Sequence, residues 1–216
     1  MRALPLAFPN DAAGFASADD EYMLGPDLFV APIVTQGATS RSVHFPPGAW
    51  AKLQTNDLVA GPTDATIDAP LGTPIVYGRV GALIPMLAAD VDTLVSSTAG
   101  SVVTIDQRPT VEARGWPSGD ALATFDDGAR VSVHDGQDGV TVAFATNALS
   151  TAIVCTLDLR SRQGKKDPLT HVLSNGVELA SLASEAAVRA ASGSAYFLSG
   201  DSIVLRLAGD TSAIIE

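Results

Sequence analysis

The sequence is poor in cysteine and in basic residues, and each shortage excludes a class of protein. Cys155 is the single cysteine, which excludes an intramolecular disulfide framework and a cysteine-based zinc site. Lys and Arg number 13 against 24 Asp and Glu, giving a formal net charge of -11 at pH 7. Because no basic patch is available to neutralise phosphates, nucleic acid is not an expected partner. The adjacent pair Lys165-Lys166 is predicted to lie in a solvent-exposed polar turn.

Long hydrophobic runs are also missing. No stretch approaches the roughly 20 consecutive apolar residues that a helix needs to span a bilayer. The apolar run at residues 1–9 is short and is interrupted by Pro5 and Pro9, so we expect no signal peptide in this chain. A membrane is therefore not an expected partner, and the compartment of a longer parent protein stays open.

Short strand-like segments are abundant. The chain is 46% hydrophobic with a mean hydropathy of +0.24, which argues against disorder. Apolar and polar residues alternate over 140–144 and 203–207, as is typical of half-buried antiparallel strands. Strands are predicted at 28–34, 41–45, 65–69, 73–78, 82–85, 101–106, 110–114, 121–125, 130–134, 139–145, 151–158, 170–174, 195–198 and 202–207.

Turn residues separate these segments and indicate how the chain is divided. Dipeptides such as Asp127-Gly128 and Asn175-Gly176 suit hairpins, because both positions tolerate a positive φ. Residues 178–191 are interpreted as turn plus strand. Residues 88–100 are small and polar, as in a connector. The pattern predicts an all-β chain in which two antiparallel β-sandwich domains follow one another.

Motifs spread over the first 86 residues resemble one enzyme family. Residues 1–11 (MRALPLAFPND) are similar to MRPLFLEFPDD, and residues 20–34 (DEYMLGPDLFVAPIV) to DQYLLGPDLLVAPV. Residues 37–50 and 69–86 (ending GRVGALIPM) resemble the segments that follow. This set is similar to the C-terminal region of family 31 glycoside hydrolases, the α-glucosidase and α-xylosidase family. Residues 124–128 and 174–179 extend the resemblance, whereas residues 51–56 and 195–197 depart from it by lacking aromatic residues.

The resemblance implies a division of the chain and a parent reaction. Residues 1–24 would be the remnant of the last (β/α)8-barrel strand with its connecting loop, residues 25–94 the proximal sandwich and residues 95–216 the distal sandwich. The parent would hydrolyse α-linked glucosides or xylosides with retention, using two aspartates encoded upstream. No residue of this chain inherits either catalytic role, and no cofactor or metal is expected. The expected partner is the missing catalytic barrel.

Acidic clusters and histidines are the residues that could still carry chemistry. Retaining glycosidases need two carboxylates about 5–5.5 Å apart. Asp19-Asp20-Glu21 is interpreted as a turn with solvated carboxylates, and Asp126-Asp127 as a hairpin turn with a structural calcium ion as the alternative. His44, His134 and His171 fall on separate predicted strands, and nothing in their spacing indicates a metal site or a Ser-His-Asp arrangement.

Three other side chains have a structural and a functional interpretation. Cys155 lies in an apolar run and is predicted to be a buried strand residue rather than a nucleophile. Trp50 and Trp116 could stack on sugar rings, but burial in a sandwich core is the favoured interpretation.

Two further function classes stay open as alternatives: a free-standing carbohydrate-binding module and a structural β-sandwich with protein partners. An N-terminal barrel strand argues against both, since an independent module has no use for it. If the barrel is the partner, Leu4, Leu6, Phe8 and the neighbours of Leu28 should be exposed in this chain. Such a patch would favour homo-oligomers unless the N-terminal strand folds back.

Overall fold

The computed structural model is all-β and divides into two compact units, Met1–Val80 and Gly81–Glu216. Part of the predicted connector 88–100, parts of the predicted strand 101–106 and the pair Lys165-Lys166 lie outside the described residues. The sequence-based domain limits, 25–94 and 95–216, stay predictions. The structure describes residues 1–88, 91–95, 97, 98, 100, 102–105, 109–162, 169–209 and 211–216.

The first unit is built on one six-stranded antiparallel sheet with the strand order β1-β2-β3-β6-β4-β5. A helical turn, α1, follows β1, and a 3-10 turn at Ala13–Phe15 precedes β2. The elements are β1 Arg2–Ala3, α1 Leu4–Ala7, β2 Tyr22–Leu24, β3 Leu28–Val30, β4 Ser40–Lys52, β5 Leu58–Asp68 and β6 Val76–Arg79.

The sheet of the first unit folds over at an irregularity in β4. The pairing of β4 with β5 changes register between Phe45 and Gly48, where two consecutive prolines cannot donate ladder hydrogen bonds. Gly48 has a φ of 131°, which suits a residue without Cβ. Phe45 lies just before this irregularity and does not pair with β3 or β6. Its ring nevertheless lies 4.8 Å from that of Tyr77 on β6 and 5.5 Å from that of Phe29 on β3. The two parts of one sheet therefore enclose an aromatic core.

The second unit is a sandwich of two six-stranded sheets, with the orders β14-β13-β18-β11-β10-β9 and β15-β16-β17-β12-β8-β7. A 3-10 turn at Leu159–Ser161 follows β12. The elements are β7 Leu83–Met86, β8 Thr110–Gly115, β9 Asp120–Thr124, β10 Arg130–Asp135, β11 Val140–Ala145, β12 Ala152–Asp158, β13 Val172–Ser174, β14 Val177–Glu178, β15 Ala180–Ser181, α2 Glu185–Ala190, β16 Ala195–Ser199, β17 Ser202–Ala208 and β18 Thr211–Ile215.

The core of the second unit follows the predicted alternation. Val140, Val142 and Phe144 of β11 are buried, whereas Thr141 and Ala143 are half-buried. β17 differs, because all residues from Ile203 to Leu207 are buried. Its second face is covered by α2, whose Val188 packs against Val204 and against Val154 of β12. Both sheets contribute to one core that contains Val142, Cys155 and Leu205.

Several elements differ from the sequence-based prediction. The extended strand expected through Leu4, Leu6 and Phe8 is wrong over Leu4–Ala7, which forms a helical turn with Pro5 in its first turn, where proline is tolerated. Helix α2 replaces part of the predicted turn plus strand, because the Ser184 side chain caps it by accepting the Ala187 N–H. The prediction also missed β18, and β8 pairs with β12 in parallel rather than antiparallel.

Cys155 is the buried strand residue that the sequence predicts. It lies in the middle of β12 with no exposed surface, and burial raises the pKa of its thiol to about 12. A thiol with this pKa is ionised in only about one molecule in ten thousand at pH 8.

We therefore expect Cys155 to be inert towards a thiol reagent such as Ellman's reagent in the folded chain and to react fully in urea. Absorbance of the released thiolate measures both states. Stoichiometric reaction within minutes under native conditions, with circular dichroism unchanged, would contradict the buried assignment.

A buried ion pair ties the end of β12 to the end of β10. The Nε of Arg162 lies 2.7 Å from an Asp135 carboxylate oxygen, and an Arg162 Nη donates to the Gly136 carbonyl at 3.2 Å. Both side chains are at most 1% exposed. Removing one partner from such a pair leaves the other charge buried without compensation.

Arg162→Ala should therefore destabilise the second unit by about 3–5 kcal/mol, measured by urea denaturation. His171→Ala is the matched control, because His171 and its partner Glu178 are 60% and 54% exposed and their pairing should contribute less than about 1 kcal/mol. Equal effects of the two substitutions would contradict this assignment.

Candidate functional site

The three histidines do not meet at one site. His134 pairs with Asp120 at 2.5 Å and His171 with Glu178 at 3.1 Å, and both histidines are exposed. His44 is buried and has other partners. Within the described ranges, no group of three or more His, Cys, Asp or Glu side chains is arranged to hold a metal ion.

The tryptophans considered for sugar binding are buried, and the aspartate considered for ion binding is hydrogen-bonded to the backbone. Trp50 and Trp116 have no exposed surface, so neither ring is available to stack on a sugar. Asp127 lies in the hairpin turn between β9 and β10 and accepts hydrogen bonds from the Ala129 and Ser150 N–H groups. Burial opposes ionisation of Asp127, but these hydrogen bonds outweigh it and hold its pKa below the ordinary value. The Asp127 carboxylate thus links the turn to the segment between β11 and β12.

The main cluster of buried charge surrounds His44 on β4. Its neighbours Val43 and Phe45 belong to the core, so alternation along the strand directs the His44 side chain to the opposite face. There Nε2 of His44 lies 2.9 Å from an Asp11 carboxylate oxygen, and Nδ1 lies 2.6 Å from Asp64. Asp64 is the direct β5 partner of His44 in the ladder. The side chain of Asp11 is 6% exposed, whereas that of Asp64 is 72% exposed.

Glu21 and Arg41 extend this cluster along the N-terminal loop. The Glu21 carboxylate, 1% exposed, accepts the backbone N–H of His44 at 3.1 and 3.2 Å and an Nη of Arg41 at 2.9 Å. Arg41 also donates to the Pro32 carbonyl at 2.8 Å and pairs with Asp20 at 3.0 Å. Burial raises the pKa of Glu21, opposed by the His44 N–H and the Arg41 charge. The interpretation of Asp19-Asp20-Glu21 as solvated carboxylates is therefore wrong for Glu21.

An aromatic contact fixes the same N-terminal segment on its other side. The Phe8 ring meets Trp50 edge-on at 6.3 Å, and the Arg79 guanidinium lies 5.6 Å from the Phe8 centroid and 4.6 Å from that of Trp50. Such cation–π contacts are worth about 0.5–2 kcal/mol. Leu4 is fully buried in the same core. We call the contacts of Asp11, Glu21, Phe8 and Leu4 with the sheet the N-terminal clamp.

The clamped segment keeps a set of apolar side chains in solvent. Leu6 on α1 is 75% exposed and Phe15 in the 3-10 turn is 59% exposed, and these two elements are in contact. Met1 and Leu24 are exposed as well. We call Met1, Leu6, Phe15 and Leu24 the apolar face. The expected exposure of Leu4 is wrong and Phe8 is half-buried, because the helical turn directs Leu4 into the core and leaves Leu6 outside.

The cluster can hold a segment in place but offers no nucleophile. Asp11, Glu21 and Asp64 each accept hydrogen bonds from His44 or Arg41, so these carboxylates neutralise charge within the fold. Sequence reasoning missed this cluster because its members are separated by up to 53 positions. A usable signal existed in the hairpin 40–68: its register places His44 opposite Asp64.

None of the helices in the described part of the chain has both the length and the hydrophobicity to cross a membrane.

Comparisons with known proteins agree with the motifs and the fold. The Glycosyl hydrolase family 31 C-terminal domain matches residues 1–84. The lysosomal alpha-glucosidase of Mus musculus is 27% identical over 202 residues, covering 82% of this chain and 21% of that protein. The sulfoquinovosidase of Agrobacterium fabrum is 38% identical over 80 residues, covering 37% of this chain and 12% of that protein.

A solved structure extends the fold comparison to the whole chain. The GH31 dextranase FjDex31A of Flavobacterium johnsoniae matches with a TM-score of 0.78 at 19% identity, covering 100% of this chain and 29% of that one. The chain spans only about a fifth of the length of the mouse alpha-glucosidase. Residues 1–84 therefore carry the C-terminal domain of glycoside hydrolase family 31, and the whole chain shares its all-β fold with a solved GH31 structure.

Proposed function

We propose that this chain is the non-catalytic C-terminal β-sandwich region of a retaining α-glycoside hydrolase that acts on α-linked glucosides or xylosides, and that it stabilises the catalytic barrel. The observation that carries this proposal is the combination of a tightly clamped N-terminal segment with an apolar face that stays in solvent. A segment anchored by buried charges on one side and apolar on the other is suited to join two domains. In this assignment residues 1–24 form the junction, and residues 25–94 and 95–216 are the two sandwich domains.

The apolar face is the surface that we assign to the barrel. Leu6 and Phe15 lie on two short turns that contact each other, and both turns belong to the part of the chain before β2. Burying a leucine or phenylalanine side chain contributes about 1.5–3 kcal/mol. Without the barrel the same face favours self-association, which gives the chain a route to homo-oligomers.

The non-catalytic assignment rests on the state of the buried carboxylates. A retaining glycosidase needs one carboxylate free to attack and another free to donate a proton to the leaving group. Asp11 and Glu21 are instead engaged by His44 and Arg41. The two buried tryptophans likewise provide no platform for a carbohydrate-binding module. The catalytic aspartates of the proposed parent would lie upstream of Met1.

The double substitution Leu6→Asp with Phe15→Asp tests the junction. In the complete gene product it should lower the free energy of unfolding of the barrel by about 2–5 kcal/mol, since two apolar contacts are lost and two charges are buried. In the 216-residue chain alone it should change stability by less than about 0.5 kcal/mol, because both side chains are already exposed. Differential scanning calorimetry of both proteins measures the difference.

Leu122→Asp is the matched control, since Leu122 is 63% exposed but lies on β9 in the second unit. It should leave both proteins unchanged. If the double variant and the control have the same effect on the complete gene product, the assignment of the apolar face to the barrel is wrong.

A further inference from the structure

We propose that protonated His44 is a latch that holds residues 11–21 against the sheet and thereby positions the apolar face, and that this latch loosens when His44 loses its proton. The inference rests on the proposed function in one respect, the assignment of the apolar face to the catalytic barrel. The latch itself is a property of this chain and is tested on it.

The hydrogen-bond geometry requires two protons on the His44 ring. Both ring nitrogens lie within 2.9 Å of a carboxylate oxygen, Nδ1 from Asp64 and Nε2 from Asp11. An ionised carboxylate only accepts hydrogen bonds, and a neutral imidazole has a single N–H to donate. Only the imidazolium form can donate to both carboxylates at once. Deprotonation leaves one nitrogen lone pair facing a carboxylate oxygen.

The charge balance around the ring also favours this proton. Four carboxylates face the site: Asp11 and Glu21 from the loop before β2, Asp20 beside them, and Asp64 from β5. Arg41 is the guanidinium that pairs with them, contacting Asp20 and Glu21. Without the His44 proton, one cation therefore faces four anions. The proton supplies the second positive charge at the buried end, where Asp11 has little access to water.

The pKa directions agree with the geometry. Burial alone would lower the pKa of His44, but its hydrogen bonds and charge interactions with Asp11 and Asp64 outweigh burial and raise it above 6.5. A raised histidine pKa means that the folded state binds the proton more tightly than the unfolded state. The stabilisation is complete below the unfolded value near 6.5 and is lost as the pH rises through the folded value.

Glu21 is a second group of the cluster with a shifted pKa. Burial raises its pKa above 4.5, so stability falls as the pH rises from there through its folded value. Both groups therefore act in the same direction, and a variant that removes His44 while keeping Glu21 separates their contributions.

The different exposure of Asp64 and Asp11 indicates which of their hydrogen bonds with His44 is lost first on deprotonation. Asp64 is mostly in water and can turn away, whereas Asp11 is held by its buried position and by the hydrogen bond from its N–H to the Phe8 carbonyl at 3.0 Å. The remaining proton of neutral His44 therefore stays on Nε2. The hydrogen bond from neutral His44 to the Asp11 carboxylate then keeps an ionised acceptor but loses the attraction between opposite charges, and the hydrogen bond to Asp64 is lost. The latch loosens rather than opens fully.

The first experiment follows the ring protons of His44 by NMR in the 216-residue chain across pH 5 to 9. We expect the pKa of His44 to lie above 6.5 and to fall in Asp64→Asn and in Asp11→Asn. Asp64→Asn keeps the test decisive if Asp11→Asn fails to fold, since Asp64 is 72% exposed. A His44 pKa at or below 6.5, or one unchanged by Asp64→Asn, would overturn the proposal.

The second experiment measures the stability of the loop at residues 11–21 rather than the protonation of the His44 ring. Hydrogen exchange of the Gly14 and Ala16 amides, which donate to the Asp11 and Ala13 carbonyls, should lose about threefold or more of its protection as the pH passes the His44 pKa. Protection is taken relative to intrinsic exchange at each pH. The step should be absent in His44→Gln and retained in His134→Gln, a control that removes an exposed His–Asp pair.

These readouts separate the latch from the proposed function. They use the chain without a barrel, so a missing protection step refutes the latch whatever the partner is. A step that is present while the apolar face has no effect on the complete gene product supports the latch and refutes the barrel contact. A step that persists in His44→Gln would assign the change to another group and overturn the inference.

Discussion

The structure of the first unit depends on the removal of three ionisable side chains from water. Asp11, Glu21 and His44 are each buried by the N-terminal loop, and burying an unpaired charge would cost several kcal/mol. The fold offsets this cost by mutual pairing and by adding Arg41 and a backbone N–H. Because removing any one partner leaves another buried charge without compensation, the loop has one well-defined position on the sheet.

That fixed position explains the contrast between the two sides of the N-terminal segment. Its inner side contributes Leu4 to the core and Phe8 to the contact with Trp50 and Arg79. Its outer side leaves Leu6 and Phe15 in solvent. A linker that only connected two domains would not need buried carboxylates to hold it. The clamp therefore gives the proposed junction a rigid surface, for which little ordering entropy is lost when it meets a partner.

The second unit depends on a simpler constraint, the exclusion of water between two sheets. Among the residues that the structure describes, this unit has one ion pair with both side chains fully buried. It joins Arg162 to Asp135 near the ends of two strands. Cys155 lies in the centre of the same core as a small apolar residue with a thiol held neutral. These features stabilise the sandwich.

The sequence predicted local features well and non-local ones poorly. Alternation placed β11 with the correct buried face, and the Asp-Gly and Asn-Gly turns fell between strands as expected. Leu4–Ala7 was expected to be extended because residues 1–11 resemble the last barrel strand of the family, whereas Pro5 and core packing favour a helical turn. The pairing of His44 with Asp64 follows from the β4–β5 hairpin, whereas the contact of His44 with Asp11 could not be predicted, since Asp11 lies in a loop 33 positions away. Charge balance in a buried site is a property of the assembled fold.

The proposal that this chain is one part of a longer α-glycoside hydrolase can be tested on its gene. The most direct measurement is the DNA sequence immediately upstream of the Met1 codon in the source genome. We expect an in-frame (β/α)8 barrel with aspartates at the ends of its strands. A stop codon followed by a ribosome-binding site would contradict it and would make the chain a separate module, for which the apolar face needs another partner.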